Sequence, residues 1–242
     1  MKQHRILAAL RAAFPITIPV LLGYLFVGIA FGLLLQGKGY SVLWAILMSV
    51  FIYAGSMQFI AINFLTGGFS LLSVALMTAM VNARHLFYGL SMLDRFKDVT
   101  QPKKGYLIFG LTDETYSLLC SQNAPEGVDR GWFLFFIALL DQLYWITGSV
   151  IGSVAGSLIA FNTKGIDFAM TALFVVIFLE QWKSAHSPLP AVIGLGSSLL
   201  CLLVFGPANF ILPSMGLIVL LLTVLRRPIE RHDTVKGGNA AC

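Results

Sequence analysis

The sequence predicts an all-α fold, a polytopic membrane helix bundle of about seven or eight spans. The 242-residue chain has a mean hydropathy of +0.84 and only 11% charged residues, well below the roughly one-quarter typical of soluble domains. Three long stretches contain no Asp, Glu, Lys or Arg, namely 12–37, 39–83 and 184–225. Because a helix needs about 20 apolar residues to cross the hydrocarbon core, the first stretch can cross once and each of the others twice.

Uncharged runs and helix breakers place the spans along the chain. In order, the predicted spans are 13–36, 41–65, 69–92, 105–121, 131–157, 166–181, 188–205 and 208–225. Gly67-Gly68 and Gly206-Pro207 each separate one span from the next. We therefore expect one transmembrane transport domain over residues 1–225 and a polar C-terminal tail over residues 226–242.

The net charge of +5 comes from basic residues that flank apolar segments. This pattern is typical of membrane anchors and not of a nucleic-acid surface. It favours a cytoplasmic N-terminus and a cytoplasmic loop 94–104. The three spans predicted before residue 94 would, however, place that loop on the opposite side of the membrane from the N-terminus if each crossed fully. Either one early segment is re-entrant or the charge bias of the loop is overruled.

Broken or re-entrant helices are expected in the first two segments. Pro15 and Pro19 lie in the first segment, and the second contains Tyr53-Ala54-Gly55-Ser56. Breaks at membrane depth require protein or a watery cavity to satisfy the freed backbone groups, and they are common in transporters.

No catalytic, cofactor or metal site is predicted. The three cysteines and four histidines are scattered, without the spacing of metal ligands. Residues 32–39 approach a phosphate-loop pattern, but Gly39 stands where Ser or Thr should bind magnesium, and the stretch closes an apolar helix. The chain is therefore expected not to be an enzyme.

Five ionisable residues fall inside apolar segments, where a charge costs at least about 2.5 kcal/mol and needs a partner. They are Arg84, His85, Asp113, Glu114 and Asp141. Arg84 lies ten residues before Asp94, and Asp113 lies nine residues after Lys104. At about 1.5 Å per residue both lie about 14 Å from the same loop, so one acid of the Asp113-Glu114 pair is predicted to pair with Arg84 and the other to face a cavity.

Each of these residues also has a structural interpretation. The ion pair can specify packing alone, and His85 can be a hydrogen-bonded core residue as well as a proton relay. Asp141 can belong to an ion or proton site. Gly148, Gly152 and Gly156 recur every fourth residue, which first of all indicates close helix packing.

Four sequence strings carry a resemblance to a known family. They are Pro19-x-x-x-Gly23-Tyr24 with Gly28-Ile29-Ala30-Phe31-Gly32, Tyr53-Ala54-Gly55-Ser56-Met57-Gln58-Phe59, Asn82-Ala83-Arg84-His85-Leu86-Phe87-Tyr88-Gly89, and Gly110-Leu111-Thr112-Asp113-Glu114. With these strings in this order, nearly the whole chain resembles the AzlC/YgaZ type of branched-chain amino acid permease.

The resemblance implies the large subunit of a two-component exporter in a bacterial inner membrane. Its implied substrates are valine, leucine, isoleucine or methionine, and its implied partner is a small membrane subunit of the AzlD type. With no phosphate loop, uphill export would use an ion gradient. The alternatives are a passive channel, a structural membrane subunit and, with no paired catalytic signature to support it, an intramembrane enzyme.

An amino acid zwitterion needs groups for its carboxylate, its ammonium and its apolar side chain. The substrate-binding candidates are Tyr53, Gly55, Ser56, Gln58, Asn82, Asp113 and Glu114. The candidates for a buried charge or for proton coupling are Arg84, His85, Asp113, Glu114 and Asp141. The amides of Gln58 and Asn82 can instead tie helices together.

Overall fold

The computed structural model describes residues 2–68, 70–158, 175, 178–179, 182 and 188–225. The described residues form helices and connecting turns, with no strand in these ranges. The helices are α1 Lys2–Gly37, α2 Val42–Phe51, α3 Gly55–Thr66, α4 Leu71–Ser91, α5 Gln101–Phe109, α6 Asp113–Ser121, α7 Arg130–Leu158, α8 Leu189–Asn209 and α9 Ile211–Val224. The all-α prediction is confirmed.

Among the described helices, those long and apolar enough to cross a membrane are Arg5–Gly37, Leu71–Ser91, Arg130–Leu158 and Leu189–Gly206. Apolar side chains such as Leu71, Leu86 and Phe87 lie exposed along α4, as expected of a surface that faces lipid. The chain is therefore a multi-pass membrane protein. Most of the predicted span 166–181, and the whole predicted tail 226–242, lie outside the described residues.

The chain divides into two compact units, one that contains α1–α7 and another that contains α8 and α9. In the second unit α8 and α9 pack on each other. Gly206 interrupts α8 with φ 72° and ψ 171°, at the break predicted from Gly206-Pro207. The prediction of a single transport domain over 1–225 stays a prediction.

Helices α1 and α7 pack backbone to backbone through glycines. A Cβ added to Gly32 would fall 2.1 Å from the carbonyl oxygen of Ser149, and one added to Gly152 would fall 2.1 Å from that of Ile29. A Cβ added to Gly148 would fall 2.9 Å from the carbonyl oxygen of Tyr24. The repeated glycines of α7 are therefore a packing device, as their spacing predicts.

The predicted break in the first segment is wrong, because α1 runs without interruption through Pro15 and Pro19. Each proline removes only one helical hydrogen bond. The glycine-mediated packing on α7 holds α1 after the prolines, and before them Ala9 and Ala13 are buried in the core that α7 shares. The Thr17 hydroxyl also donates to the Phe14 carbonyl and bonds Tyr144 of α7. The contacts with α7 thus compensate for the helical hydrogen bonds that the two prolines remove.

The predicted break in the second segment is confirmed, because residues 52–54 separate α2 from α3. Tyr53 has φ 40°, a conformation that few residues other than glycine adopt. Each half-helix is too short to cross the membrane, since the ten residues of α2 extend only about 15 Å.

A second interruption, which the sequence analysis missed, separates α5 from α6 at residues 110–112. Thr112 caps α6 by accepting a hydrogen bond from the Thr115 amide at 3.2 Å, and Asp113 and Glu114 occupy the first turn. A threonine followed by acids is a known signal for a helix start. The predicted span 105–121 is therefore two half-helices.

The broken α5–α6 segment is fixed to the long helices by an apolar core. Leu107 lies before the break, Leu111 within it and Leu119 beyond it. All three are buried with Leu134 and Ile137 of α7. Because this core holds both halves, the polar residues at the break have defined positions.

Candidate functional site

Arg84 of α4 connects the starts of both half-helices α3 and α6. One terminal nitrogen of its guanidinium donates to the Asp113 carboxylate at 2.6 Å, and the other donates to the Ser56 hydroxyl at 2.6 Å. The two charged side chains are 34% and 32% exposed, so the pair is neither sealed nor fully solvated. The predicted pairing of Arg84 with one of the two acids is confirmed, and the acid is Asp113.

Tyr88 is a second residue of α4 that binds Asp113. It lies one helical turn after Arg84, so both side chains leave the same face of α4. Its hydroxyl donates to the second carboxylate oxygen of Asp113 at 2.7 Å, and its ring stacks on Tyr116 with centroids 4.4 Å apart. Asp113 therefore has a partner for each oxygen, and its orientation is fixed.

The start of α3 has groups that suit an anion. Its first turn contains no acid, and among the described residues no side chain caps its free N–H groups from the N-cap position, Ala54. Free N–H groups and the helix dipole make such an end favourable for a carboxylate. Ser56 and Arg84 add a hydroxyl and a cation to it. Gly55 lies beside this end, with the Trp145 ring 3.4 Å from the position of an added Cβ.

The start of α6 has the opposite character, because Asp113 and Glu114 lie in its first turn. Glu114 is exposed and accepts a hydrogen bond from the buried Tyr24 hydroxyl at 2.7 Å. Glu114 is thus the acid of the pair that Arg84 leaves available.

Asp141 lies deeper, on α7, and is fully buried. One of its carboxylate oxygens accepts a hydrogen bond from the Thr115 hydroxyl at 2.8 Å, and the other has no partner among the described residues. The Thr115 hydroxyl also bonds that of Thr112 at 3.0 Å, which lies 2.5 Å from the Tyr24 hydroxyl. The hydrogen bonds therefore continue from Glu114 to Asp141.

A sequence profile of the AzlC protein family matches residues 19–159, which include both half-helix starts and Asp141. The chain belongs to the AzlC family. No solved structure matches it.

Relatives in the family cover most of the chain. The branched-chain amino acid transport protein AzlC of Bacillus subtilis is 51% identical over 96% of this chain and 91% of its own length. An uncharacterized membrane protein of Helicobacter pylori is 45% identical over 94% and 100%. The inner membrane protein YgaZ of Escherichia coli is 31% identical over 71% and 72%. The α8–α9 unit lies beyond the region that the family profile matches.

Three other candidate residues of this AzlC-family site have different surroundings. Gln58 is fully buried, accepts from the Trp145 indole at 2.9 Å and donates to Ser49 at 3.4 Å, an arrangement that fits a tie between helices. Asn82 has a buried side-chain oxygen with no partner in the described part of the chain. His85 packs edge-on against Tyr88.

The hydroxyl groups around the two acids of this family member were not predicted from the sequence. These hydroxyl groups are uncharged, so they do not stand out in an apolar segment as a charged residue does. They belong to Tyr24, Tyr88, Thr112 and Thr115. The sequence does contain a signal for the position of Thr112, because a threonine followed by two acids is typical of the residue that caps the start of a helix. Among the described residues, no three His, Cys, Asp or Glu side chains come together as metal ligands would.

Proposed function

We propose that this chain is a secondary transporter that exports branched-chain or other hydrophobic amino acids across the bacterial inner membrane. The observation that carries the proposal is the position of Arg84, which joins a half-helix start suited to an anion with one that bears acids. Such a pair of ends complements the two charges of an amino acid. The B. subtilis relative, described as a branched-chain amino acid transport protein, supports this substrate class.

The substrate carboxylate is assigned to the start of α3. There the N–H groups of the first turn and the Ser56 hydroxyl face the anion. Arg84 adds its Nε–H, which has no partner among the described residues. Gly55, the first residue of α3, has no side chain of its own to cover these N–H groups, and the Trp145 ring lies beside it. Asn82 is assigned a supporting hydrogen bond to the substrate.

The substrate ammonium is assigned to Glu114. Asp113 is already held by Arg84 and Tyr88, so it fixes the arginine and adds negative potential. Trp145 lies beside Gly55 and packs edge-on against the Tyr24 ring at 5.5 Å, and Tyr24 bonds Glu114. These two rings therefore connect the carboxylate end of the site to the ammonium end and offer an apolar wall to the side chain.

The export direction, the use of an ion gradient and a small AzlD-type partner subunit are part of the same proposal. They rest on the family resemblance and on the missing phosphate loop in the sequence. The breaks at Tyr53 and at residues 110–112 are the positions where half-helices can move to open the site alternately to each side.

The test measures valine in cells fed a valine-containing dipeptide, with and without this protein and an AzlD-type subunit. Export lowers the intracellular valine, and unchanged accumulation would contradict the proposal. A passive channel is distinguished in reconstituted vesicles, since a channel cannot move valine against its gradient.

A charge swap distinguishes a transport site from a purely structural ion pair. Arg84→Asp or Asp113→Arg alone should lower the amount of folded protein, because each leaves a charge unpaired. The double variant restores the pair and should recover folded protein without recovering export. If it recovers export per folded molecule as well, the pair is structural and the site assignment fails.

A further inference from the structure

Glu114 and Asp141 are the two ends of an unbroken line of hydrogen bonds. Its links are Glu114 to Tyr24 at 2.7 Å, Tyr24 to Thr112 at 2.5 Å, Thr112 to Thr115 at 3.0 Å and Thr115 to Asp141 at 2.8 Å. The line crosses from α6 to α1, returns to α6 and ends on α7. Residues from three helices thus connect two carboxyl groups that do not contact each other directly.

Counting hydrogens shows how many protons this line accepts. Its four links are served by three hydroxyl groups, and each hydroxyl has one hydrogen to donate. With both acids ionised, one link has no hydrogen and two oxygens face each other. With one acid protonated, every link has a donor and an acceptor. The line is therefore complete when the two acids together hold a single proton.

The same count shows how the proton moves. When Glu114 holds it, Glu114 donates to Tyr24, Tyr24 to Thr112, Thr112 to Thr115 and Thr115 to Asp141. When each group passes its hydrogen to the next group, the donor and the acceptor of every link exchange roles. Asp141 then holds the proton. No group changes its net charge except the two acids, and no other atom is needed.

The surroundings of Asp141 favour a proton as its ligand. Among the described residues it has no ion-pair partner, and one carboxylate oxygen is buried with no donor. An ionised carboxyl group in such a position is costly, whereas a protonated one is tolerated. The titratable groups that face it are Glu114, Tyr53 and Tyr106, and none of them is a cation.

The other end of the line differs in access. Glu114 is exposed, whereas Asp141 is sealed. The charged and titratable groups that face Glu114 are Tyr24, Tyr53, Tyr88, Asp113, Asp141 and Arg84, and the arginine is committed to Asp113. A proton can therefore enter at Glu114 and be held at Asp141.

We infer that Glu114 and Asp141 share one proton through Tyr24, Thr112 and Thr115, and that this proton is the coupling ion of transport. The inference rests on the proposed transport function, in which Glu114 also receives the substrate ammonium. Since the ammonium requires the ionised carboxyl group, the amino acid and the shared proton compete for Glu114, as the exchange of an exported amino acid for an incoming proton requires. Binding of the amino acid and the position of the proton are linked in this way.

The test uses the full chain in liposomes, alone and with an AzlD-type subunit. Leucine exchange is followed with labelled leucine on one side and unlabelled leucine on the other, and proton movement with a trapped pH-sensitive dye. In the wild type, a leucine gradient should change the dye signal. Repeating the measurement with and without sodium distinguishes the two cations.

The decisive variants interrupt the line and leave the amino acid groups in place. Thr115→Val removes a hydroxyl and Asp141→Asn removes an acid, so both should lose leucine-driven proton movement and keep leucine exchange. Thr115→Ser retains the hydroxyl and should keep both activities. Thr147→Val is the matched control, because Thr147 lies on α7 with an exposed hydroxyl bonded only to the Leu143 carbonyl among the described contacts.

The outcomes separate this inference from the proposed function. Wild-type protein that exchanges leucine without moving protons, or only with sodium, overturns the inference and leaves the function intact. Proton movement that survives in Thr115→Val or Asp141→Asn also overturns it, as does loss of leucine exchange in both variants. A wild type that exchanges no hydrophobic amino acid overturns the proposed function itself.

Discussion

Gly152 of α7 lies so close to Ile29 of α1 that a Cβ on the glycine would be 2.1 Å from the carbonyl oxygen of Ile29. That atom belongs to a helix backbone and cannot turn aside as a side chain can. The contact fixes the distance between the helix that bears Tyr24 and the helix that bears Asp141. The geometry of the site thus depends on a residue with no side chain.

Gly152→Ala should therefore destabilise the protein, at a cost of about 1–3 kcal/mol or more, because overpacking forces the backbones apart. The expected result is a lower midpoint of thermal unfolding in detergent and less folded protein in the membrane. Gly23→Ala on α1 is the control, since nothing lies within 4 Å of its added Cβ. Equal unfolding midpoints for the two variants would contradict the close packing.

Ser56→Ala should weaken amino acid binding without unfolding the protein. The variant removes the hydroxyl that accepts from Arg84 and that is assigned to the substrate carboxylate. A hydrogen bond to a charged group contributes about 1.5–3 kcal/mol, so the half-saturating leucine concentration should rise by about tenfold or more. Ser56→Thr keeps the hydroxyl and should retain most of the affinity. An unchanged concentration in Ser56→Ala would remove Ser56 from the site.

Gln58→Met should lower stability and leave transport per folded molecule unchanged. The variant leaves the buried Trp145 indole N–H without its acceptor, which costs about 1–3 kcal/mol. Adding Trp145→Phe removes that donor as well, so the double variant should unfold at a higher temperature than the sum of the single effects implies. Strictly additive effects would show that the hydrogen bond contributes little.

Thr112 has two roles that substitutions can separate. Thr112→Ala removes both the cap of α6 and one hydroxyl of the line, so it should cost about 1 kcal/mol of stability and abolish leucine-driven proton movement. Thr112→Asn can still cap the helix, but its amide cannot pass a proton on as a hydroxyl does. It should therefore fold normally and lose proton movement. Normal proton movement in Thr112→Asn would show that the threonine serves only as a cap.

The sequence by itself determined the class of protein and predicted that Arg84 pairs with an acid. Hydropathy and the spacing of charges are local properties, so they predicted the membrane helices and the break before Gly55. Helix rise per residue predicted that Arg84 and the Asp113-Glu114 pair lie at similar distances from one loop, and the cost of an unpaired charge in a membrane made an ion pair the expected solution. The four quoted strings also identified the family, which the comparisons confirmed.

The tertiary structure alone decided which groups meet. It kept α1 continuous through two prolines because α7 supports it, and it divided the span 105–121 because buried leucines hold both halves. It also aligned Tyr24, Thr112 and Thr115 between two acids. Hydroxyl groups cost little to bury, so they leave no mark on a hydropathy pattern. Their alignment depends on the rotation of three helices about their own axes, which packing between distant segments sets.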